Sequence, residues 1–233
     1  MIPNEDVFNR HSPTYEQHLN SILTVSGKTN DFFADEKIEQ LLRICKAIPL
    51  DPKSSSLIDI GCGNGEVTRR VEPIFSQVTG TDLSGTSLEK AKKSCPRSRF
   101  IHSKENRPIP VSDQSFDVAL AFCVLHHIQP ESRNFFMKDI YRLLKPNGIL
   151  LIYEHNPFNP LTQYIVSRCE FDKDAVLLRK SACENLVQSN SFQIVESKFT
   201  LILPFKNRQL RHIEHKFLGQ IPLGAQYFVA ARK

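Results

Sequence analysis

Leu57-Ile58-Asp59-Ile60-Gly61-Cys62-Gly63-Asn64-Gly65-Glu66, followed by Thr79-Gly80-Thr81-Asp82-Leu83-Ser84, is the stretch that decides the fold. An apolar run carrying an acid reads as a buried parallel strand, and three glycines at alternate positions then let the backbone turn tightly against a ligand. The second acid, isolated at the end of the next apolar run, completes the pattern of a nucleoside site. The spacing narrows the choice of nucleoside. A dinucleotide site needs G-x-G-x-x-G, with a third glycine where a helix N-terminus meets a pyrophosphate. Here that position is Glu66, whose carboxylate repels a phosphate but tolerates a cationic ligand. A glycine-rich turn with no ligand is the competing reading.

The 233 residues, 40% of them hydrophobic, suffice for a single domain over 1–233. Residues 1–6 lack the basic-then-apolar layout of a signal peptide, and no apolar run approaches the roughly 20 residues that span a bilayer. A cytoplasmic protein with no membrane partner is the expectation. The six cysteines, Cys45, Cys62, Cys95, Cys123, Cys169 and Cys183, form no C-x-x-C pair and are expected as reduced, mostly buried thiols. The run Arg211-His212-Ile213-Glu214-His215-Lys216 has neither H-E-x-x-H nor H-x-x-E-H spacing, so no metal site is expected. The net charge of +5 is mild. Its basic side chains gather at Lys206, Arg208, Arg211, Lys216, Arg232 and Lys233, either as a solvated face or as an attraction for an anionic substrate. Nucleic acid is disfavoured by the lack of a Gly- and Arg-rich tail or a zinc module.

From position 57 onward, short apolar runs alternate with helical patterns, as in a parallel sheet covered on both faces. Strands are expected near 56–60, 77–82, 99–102, 116–123 and 148–154, and helices near 66–75, 86–95, 131–144 and 180–189. Two late runs, near 192–196 and 225–230, have no long helix between them and fit an antiparallel pair. Outside this alternation lie residues 1–55, an expected helical lid with Ile38, Leu41, Leu42, Cys45 and Ile48 at helical spacing. Segments 155–180 and 203–222 interrupt the alternation at late strand ends, where doubly wound folds cover their substrates.

D-x-G-x-G-x-G with an acid closing the next strand resembles motifs I and II of the class I S-adenosylmethionine-dependent methyltransferases. The resemblance implies a Rossmann-like α/β sheet of seven strands in the order 3-2-1-4-5-7-6, the last one antiparallel. It implies S-adenosylmethionine as cofactor, with Asp59, Gly61, Cys62, Gly63 and Gly65 beneath its methionine part, and Asp82 with Leu83 at its ribose. Ser115-Phe116-Asp117 leading to Leu125-His126-His127 is similar to the fourth-strand region of that family, and places Phe122 beside the sulfonium. Counting back from it, Glu105 and Asn106 fall at the adenine. Phe8 to Glu16 resembles the element that packs over the cofactor, with Tyr15 as its lid residue.

His126 and His127 close the fourth strand where the methyl group would be presented, and His155 closes the fifth facing the same crevice. Either His126 or His155 could take the proton of an attacking hydroxyl. The plain alternatives are packing for the L-H-H pair and a polar turn for Asn156-Pro157-Phe158-Asn159-Pro160. Taken together, the expected activity is methyl transfer to a small-molecule acceptor, at oxygen in preference to nitrogen. The alternatives are a protein or RNA methyltransferase docking through the basic C-terminal region, and a catalytically silent cofactor-binding scaffold. The oligomeric state is open.

Overall fold

A computed structural model describes residues 30–201 and 217–233. Its centre is a seven-stranded sheet of β1 (Ser56–Ile60), β2 (Gln77–Asp82), β3 (Arg99–His102), β4 (Phe116–Phe122), β5 (Leu144–His155), β6 (Gln193–Thr200) and β7 (Gln226–Arg232). The spatial order is β3-β2-β1-β4-β5-β7-β6. All neighbours are parallel except β7, which runs antiparallel to both β5 and β6. Helices α1 (Asn30–Ala47), α2 (Glu66–Val71), α3 (Gly85–Ser94), α4 (Arg133–Leu143), α5 (Pro160–Arg168) and α6 (Lys180–Ser189) complete it.

Strict alternation along the central strands builds two cores, because successive side chains leave a strand on opposite faces. Ile58, Ala119, Leu150, Ile152 and Val229 pack with Met137 and Ile140 of α4 and Val187 of α6 on one face. Leu57, Leu120, Leu151, Tyr153 and Phe228 pack with Ile38, Leu41 and Ile44 of α1 on the other. All six thiols are free, and five of them are buried. No helix among the described residues is long and apolar enough to cross a membrane.

Several elements differ from the sequence expectation, among them β6, which runs on to Thr200. Helix α2 stops at Val71: Glu72 still has helical dihedrals and donates to Thr68 O, but Pro73 has no N–H to donate to the next carbonyl. Strand β5 begins at Leu144 and not near 148, with Lys145-Pro146-Asn147-Gly148 as a bulge within it: pairing with β4 jumps from Leu144 to Ile149 while β4 advances from Phe116 to Val118. Asn147 takes φ +65° there, a left-handed value that asparagine tolerates. Helix α5, unforeseen in the 155–180 segment, starts because Asn159 accepts the Thr162 N–H and Pro160 stands at the first helical position.

Candidate active site

The chain leaves β1 through a loop pinned to β2. The N–H groups of Gly61 and Cys62 both donate to the Thr81 carbonyl, at 2.7 and 3.0 Å. Gly61 sits at φ +72°, and a Cβ there would lie 2.6 Å from Val124 Cγ2, so only glycine fits between this loop and the end of β4. Gly63, at φ +52°, is the opposite case: a Cβ would meet nothing within 4 Å, and the position opens onto a cavity. Asp82 holds the loop from the tip of β2. Its Oδ2 accepts the Gly63 N–H and its Oδ1 the Ser84 N–H, each at 2.8 Å. Burial raises its pKa above the usual carboxylate range, against those hydrogen bonds. Asp59, 2% exposed, accepts a 2.7 Å bond from Thr68 Oγ1 of α2. Burial, with the nearby Asp82 carboxylate, outweighs that bond and raises the Asp59 pKa to about 6.

The cavity holds about 390 Å³. Asp59, Gly61, Cys62 and Gly63 line its floor, Asp82 and Leu83 one side, and Glu105, Asn106 and Phe122 other parts of the wall. Gly65 does not reach it. That residue caps α2 behind the loop at φ +85°, where a Cβ would lie 3.1 Å from Ala91 of α3, so its role is helix packing and not ligand contact. Glu66 does line the cavity, with its carboxylate paired to Arg69 and Arg70. Arg70 also reaches Asp31 and Asp35, fastening α1 to α2. Through that contact α1 brings Phe33, Ala34 and Lys37 over the cavity, with the Lys37 ammonium 5.6 Å from the Phe122 ring centroid. The expected lid residue Tyr15 lies outside the described residues.

At its far end the same cavity meets a cluster of histidines and carboxylates from three segments. Glu154, fully buried in β5, accepts the backbone N–H groups of Val124 and Leu125 on Oε1, at 3.0 and 2.7 Å. Its other oxygen lies 2.6 Å from His126 Nδ1. Asp172, on the short helical turn after α5, lies with Oδ1 3.4 Å from His126 Nε2 and 3.5 Å from His127 Nε2. Burial disfavours a charged His126, but the two carboxylates overcome it and raise its pKa to about 10. Burial and the His126 charge lower His127 to about 3 and His155 to about 4, leaving both neutral. His126, one of the two expected proton acceptors, thus has both ring nitrogens turned to carboxylates. His155 lines the cavity with its ring centroid 5.1 Å from that of His126 and makes no hydrogen bond among the described contacts.

Asp117, Asn156 and Tyr227 serve as scaffolding. Asp117 opens β4 far from the cavity and binds Ser56 and Lys145. Asn156 is the anchor of a polar turn, donating to the carbonyls of Pro222 and Gly224 and accepting from the Phe158 N–H. Tyr227 is buried, its hydroxyl donating to Leu178 O. Sequence reading missed Asp172, Lys37 and Gln226. None stands in a recognisable spacing; only tertiary packing brings them to the cavity wall.

Comparison with known proteins agrees with this arrangement. Residues 58–152 match a family model described as a methyltransferase domain. The demethylmenaquinone methyltransferase of Tropheryma whipplei (strain Twist) is 28% identical over 153 residues, covering 64% of this chain and 62% of that one. The probable tRNA methyltransferase 9B of Mus musculus is 30% identical over 142 residues, covering 59% of this chain and 29% of its own length. The chain therefore spans less than two thirds of these curated relatives. A crystal structure from Thermotoga maritima, described as an S-adenosylmethionine-dependent methyltransferase and possible histamine N-methyltransferase, superposes with a TM-score of 0.68. It is 18% identical and covers 98% of this chain and 99% of its own. Residues 58–152 are a methyltransferase domain, carried on the Rossmann-like fold of the class I S-adenosylmethionine-dependent methyltransferases.

Proposed function

We propose that the protein transfers the methyl group of S-adenosylmethionine to an oxygen atom of a small-molecule acceptor. The observation that carries this is one continuous cavity with the glycine loop and Asp82 at one end and the histidine cluster at the other. The residues present suit the donor. Gly63 leaves space that no side chain fills. Asp59 and Asp82 put two carboxylates at the loop, and Glu66 adds a third, already paired to arginines; this is a poor setting for a phosphate and a good one for a cation. The Asp82 oxygens accept the Gly63 and Ser84 N–H groups and keep acceptor capacity for a ribose hydroxyl. When bound, the donor supplies a methyl carbon already activated by a sulfonium. What remains for the protein is to align an acceptor, exclude water and take a proton.

The names of the relatives point to different acceptors, a quinone precursor, a tRNA and an amine, so the acceptor class is argued from this site alone. The walls include Phe33, Phe122, Phe135, Phe136 and Ile165, which suit a compact molecule with apolar surface. Docking of a macromolecule through the basic C-terminal region finds little support among the described residues. Lys233 donates to the carbonyls of Tyr141 and Leu144, at the start of β5, whereas the cavity opens at its far end beside His155. Lys206, Arg208, Arg211 and Lys216 lie outside the described residues.

His155 is our candidate to receive the acceptor proton, since its imidazole faces the cavity and makes no hydrogen bond among the described residues. Replacing His155 by alanine is expected to lower kcat by about 10²–10⁴-fold, the usual range for a lost proton acceptor, with little change in donor affinity. A fall in affinity without a fall in kcat would assign it to binding instead. The acceptor itself is found by incubating the protein with metabolite fractions and methyl-labelled S-adenosylmethionine, then locating the label by mass spectrometry. Label on a small-molecule oxygen is expected; label confined to RNA or protein contradicts the reading.

Asp59 makes donor affinity depend on pH. Its folded pKa of about 6 lies above the ordinary value of 3.8, so the native protein without ligand holds this proton more tightly than the unfolded chain. Stability from that proton is present below about pH 4 and is lost as pH rises to about 6, a cost of roughly 3 kcal/mol. A cationic donor favours the ionised form. Affinity is therefore expected to fall as pH drops below about 6, by up to ~10-fold per pH unit for this one group. Calorimetric titrations from mildly acidic to neutral pH check this, and Asp59→Asn should flatten the slope.

A further inference from the structure

The far end of the cavity has a geometry that ion pairing alone does not explain. His126 Nε2 and His127 Nε2 converge on a single oxygen, Asp172 Oδ1, at 3.4 and 3.5 Å, and all three ligand atoms lie within 4.8 Å of one another. These separations are long for a charge-assisted hydrogen bond, which settles near about 2.8 Å. They do match the edge of a tetrahedron around a zinc ion, about 3.3–3.4 Å for metal–ligand bonds of about 2.0–2.1 Å. By contrast, the Glu154 contact to the other nitrogen of His126 is short, at 2.6 Å. That is the arrangement in which a carboxylate holds the N–H of an imidazole and turns the lone pair of its opposite nitrogen toward a metal.

We infer that His126 Nε2, His127 Nε2 and Asp172 Oδ1 form a binding site for a divalent transition metal of the zinc class, with Glu154 orienting His126. Charge agrees with it: in a largely buried cluster Glu154 and Asp172 carry −2 against one protonated His126, and a dication in place of the His126 Nε2 proton balances both carboxylates. Among the described residues, the Arg133 guanidinium is directed to the carbonyls of Leu125, Ile128 and Val176 and makes no ion pair with either carboxylate. Two imidazole nitrogens and one carboxylate oxygen are a donor set for zinc, and three protein ligands leave a fourth position open, as in reactive zinc sites. Entry is through the cavity, which all three ligands line. Under the proposed transfer to oxygen, the open position is the place for the acceptor oxygen. The metal site does not depend on that reading, because zinc binding is read without donor or acceptor.

The experiment uses the 233-residue, tag-free chain, stripped with a chelator and checked for native circular dichroism. Zinc is added, the protein is passed through metal-free buffer, and retained metal is counted; a parallel sample receives cobalt(II) for visible absorption. One zinc per chain and intense cobalt bands of a four-coordinate site are expected. Asp172→Asn, which preserves side-chain size, and His127→Gln should each weaken zinc binding at least ~10–100-fold, while His102→Ala should not. The inference is overturned if the folded wild-type chain retains no zinc and gives no cobalt spectrum, or if both variants bind zinc as the wild type does. Should one variant fail to fold, the other decides, and the wild-type cobalt spectrum stands independently of both.

Discussion

Asp82→Ala is expected to reduce S-adenosylmethionine affinity by at least ~100-fold, the equivalent of two charge-assisted hydrogen bonds at about 1.5 kcal/mol each. The carboxylate does two things at once. On the proposed reading it accepts from the ribose, and it pins the loop by accepting from Gly63 and Ser84. Alanine removes both, so the melting temperature should fall as well, by the cost of freeing two partly buried N–H groups. Asp82→Asn separates the effects. The amide oxygen can still accept one backbone N–H, but the amide nitrogen faces the N–H of the other as a second donor. Stability should therefore recover in part and affinity should not. Titration calorimetry and thermal melts on the three proteins check this. Undiminished affinity in Asp82→Ala would remove the aspartate from the donor site.

Gly61→Ala is expected to destabilise the fold by about 2–4 kcal/mol, through two additive causes. A Cβ at this position lies 2.6 Å from Val124 Cγ2, an overlap of the kind that costs roughly 1–3 kcal/mol in a packed interior. The backbone also stands at φ +72°, where a non-glycine residue costs about 1 kcal/mol or more. A double-mutant cycle with Val124→Ala tells them apart. Trimming Val124 should return the steric part and leave the backbone part, so the two substitutions should couple by 1 kcal/mol or more. Denaturant unfolding of the single and double variants measures it. Simple additivity would mean that the loop yields to make room and that the close packing of the glycine loop on the end of β4 is dispensable.

The two ends of the cavity were unequally legible in the sequence. Strand order and the antiparallel last strand followed from the resemblance to a known family, whereas the donor end rests on local signals: an apolar run, a glycine spacing, an acid on the next strand tip. Such signals survive in one dimension because the loop, its strands and its capped helix are contiguous in the chain. Even there, Gly65 looked equivalent to Gly61 and Gly63, although it packs behind the loop against Ala91. The acceptor end was visible only as fragments. His126 and His155 stood at strand ends, but their difference depends on Glu154 and Asp172. Asp172 comes from a turn after a helix whose existence hinged on an Asn-Pro start that reads equally well as a loop. Lys37 reaches the site through Arg70 bridging α1 and α2, a tertiary contact that no periodicity reveals.

Co-crystallisation with S-adenosylhomocysteine, the demethylated product of the donor, tests the central claim most directly. The expected density lies over Gly61 and Gly63, with both ribose hydroxyls on Asp82 and the sulfur directed along the cavity toward His155. A cavity left empty at saturating ligand, or a nucleoside bound away from Asp82, would contradict it.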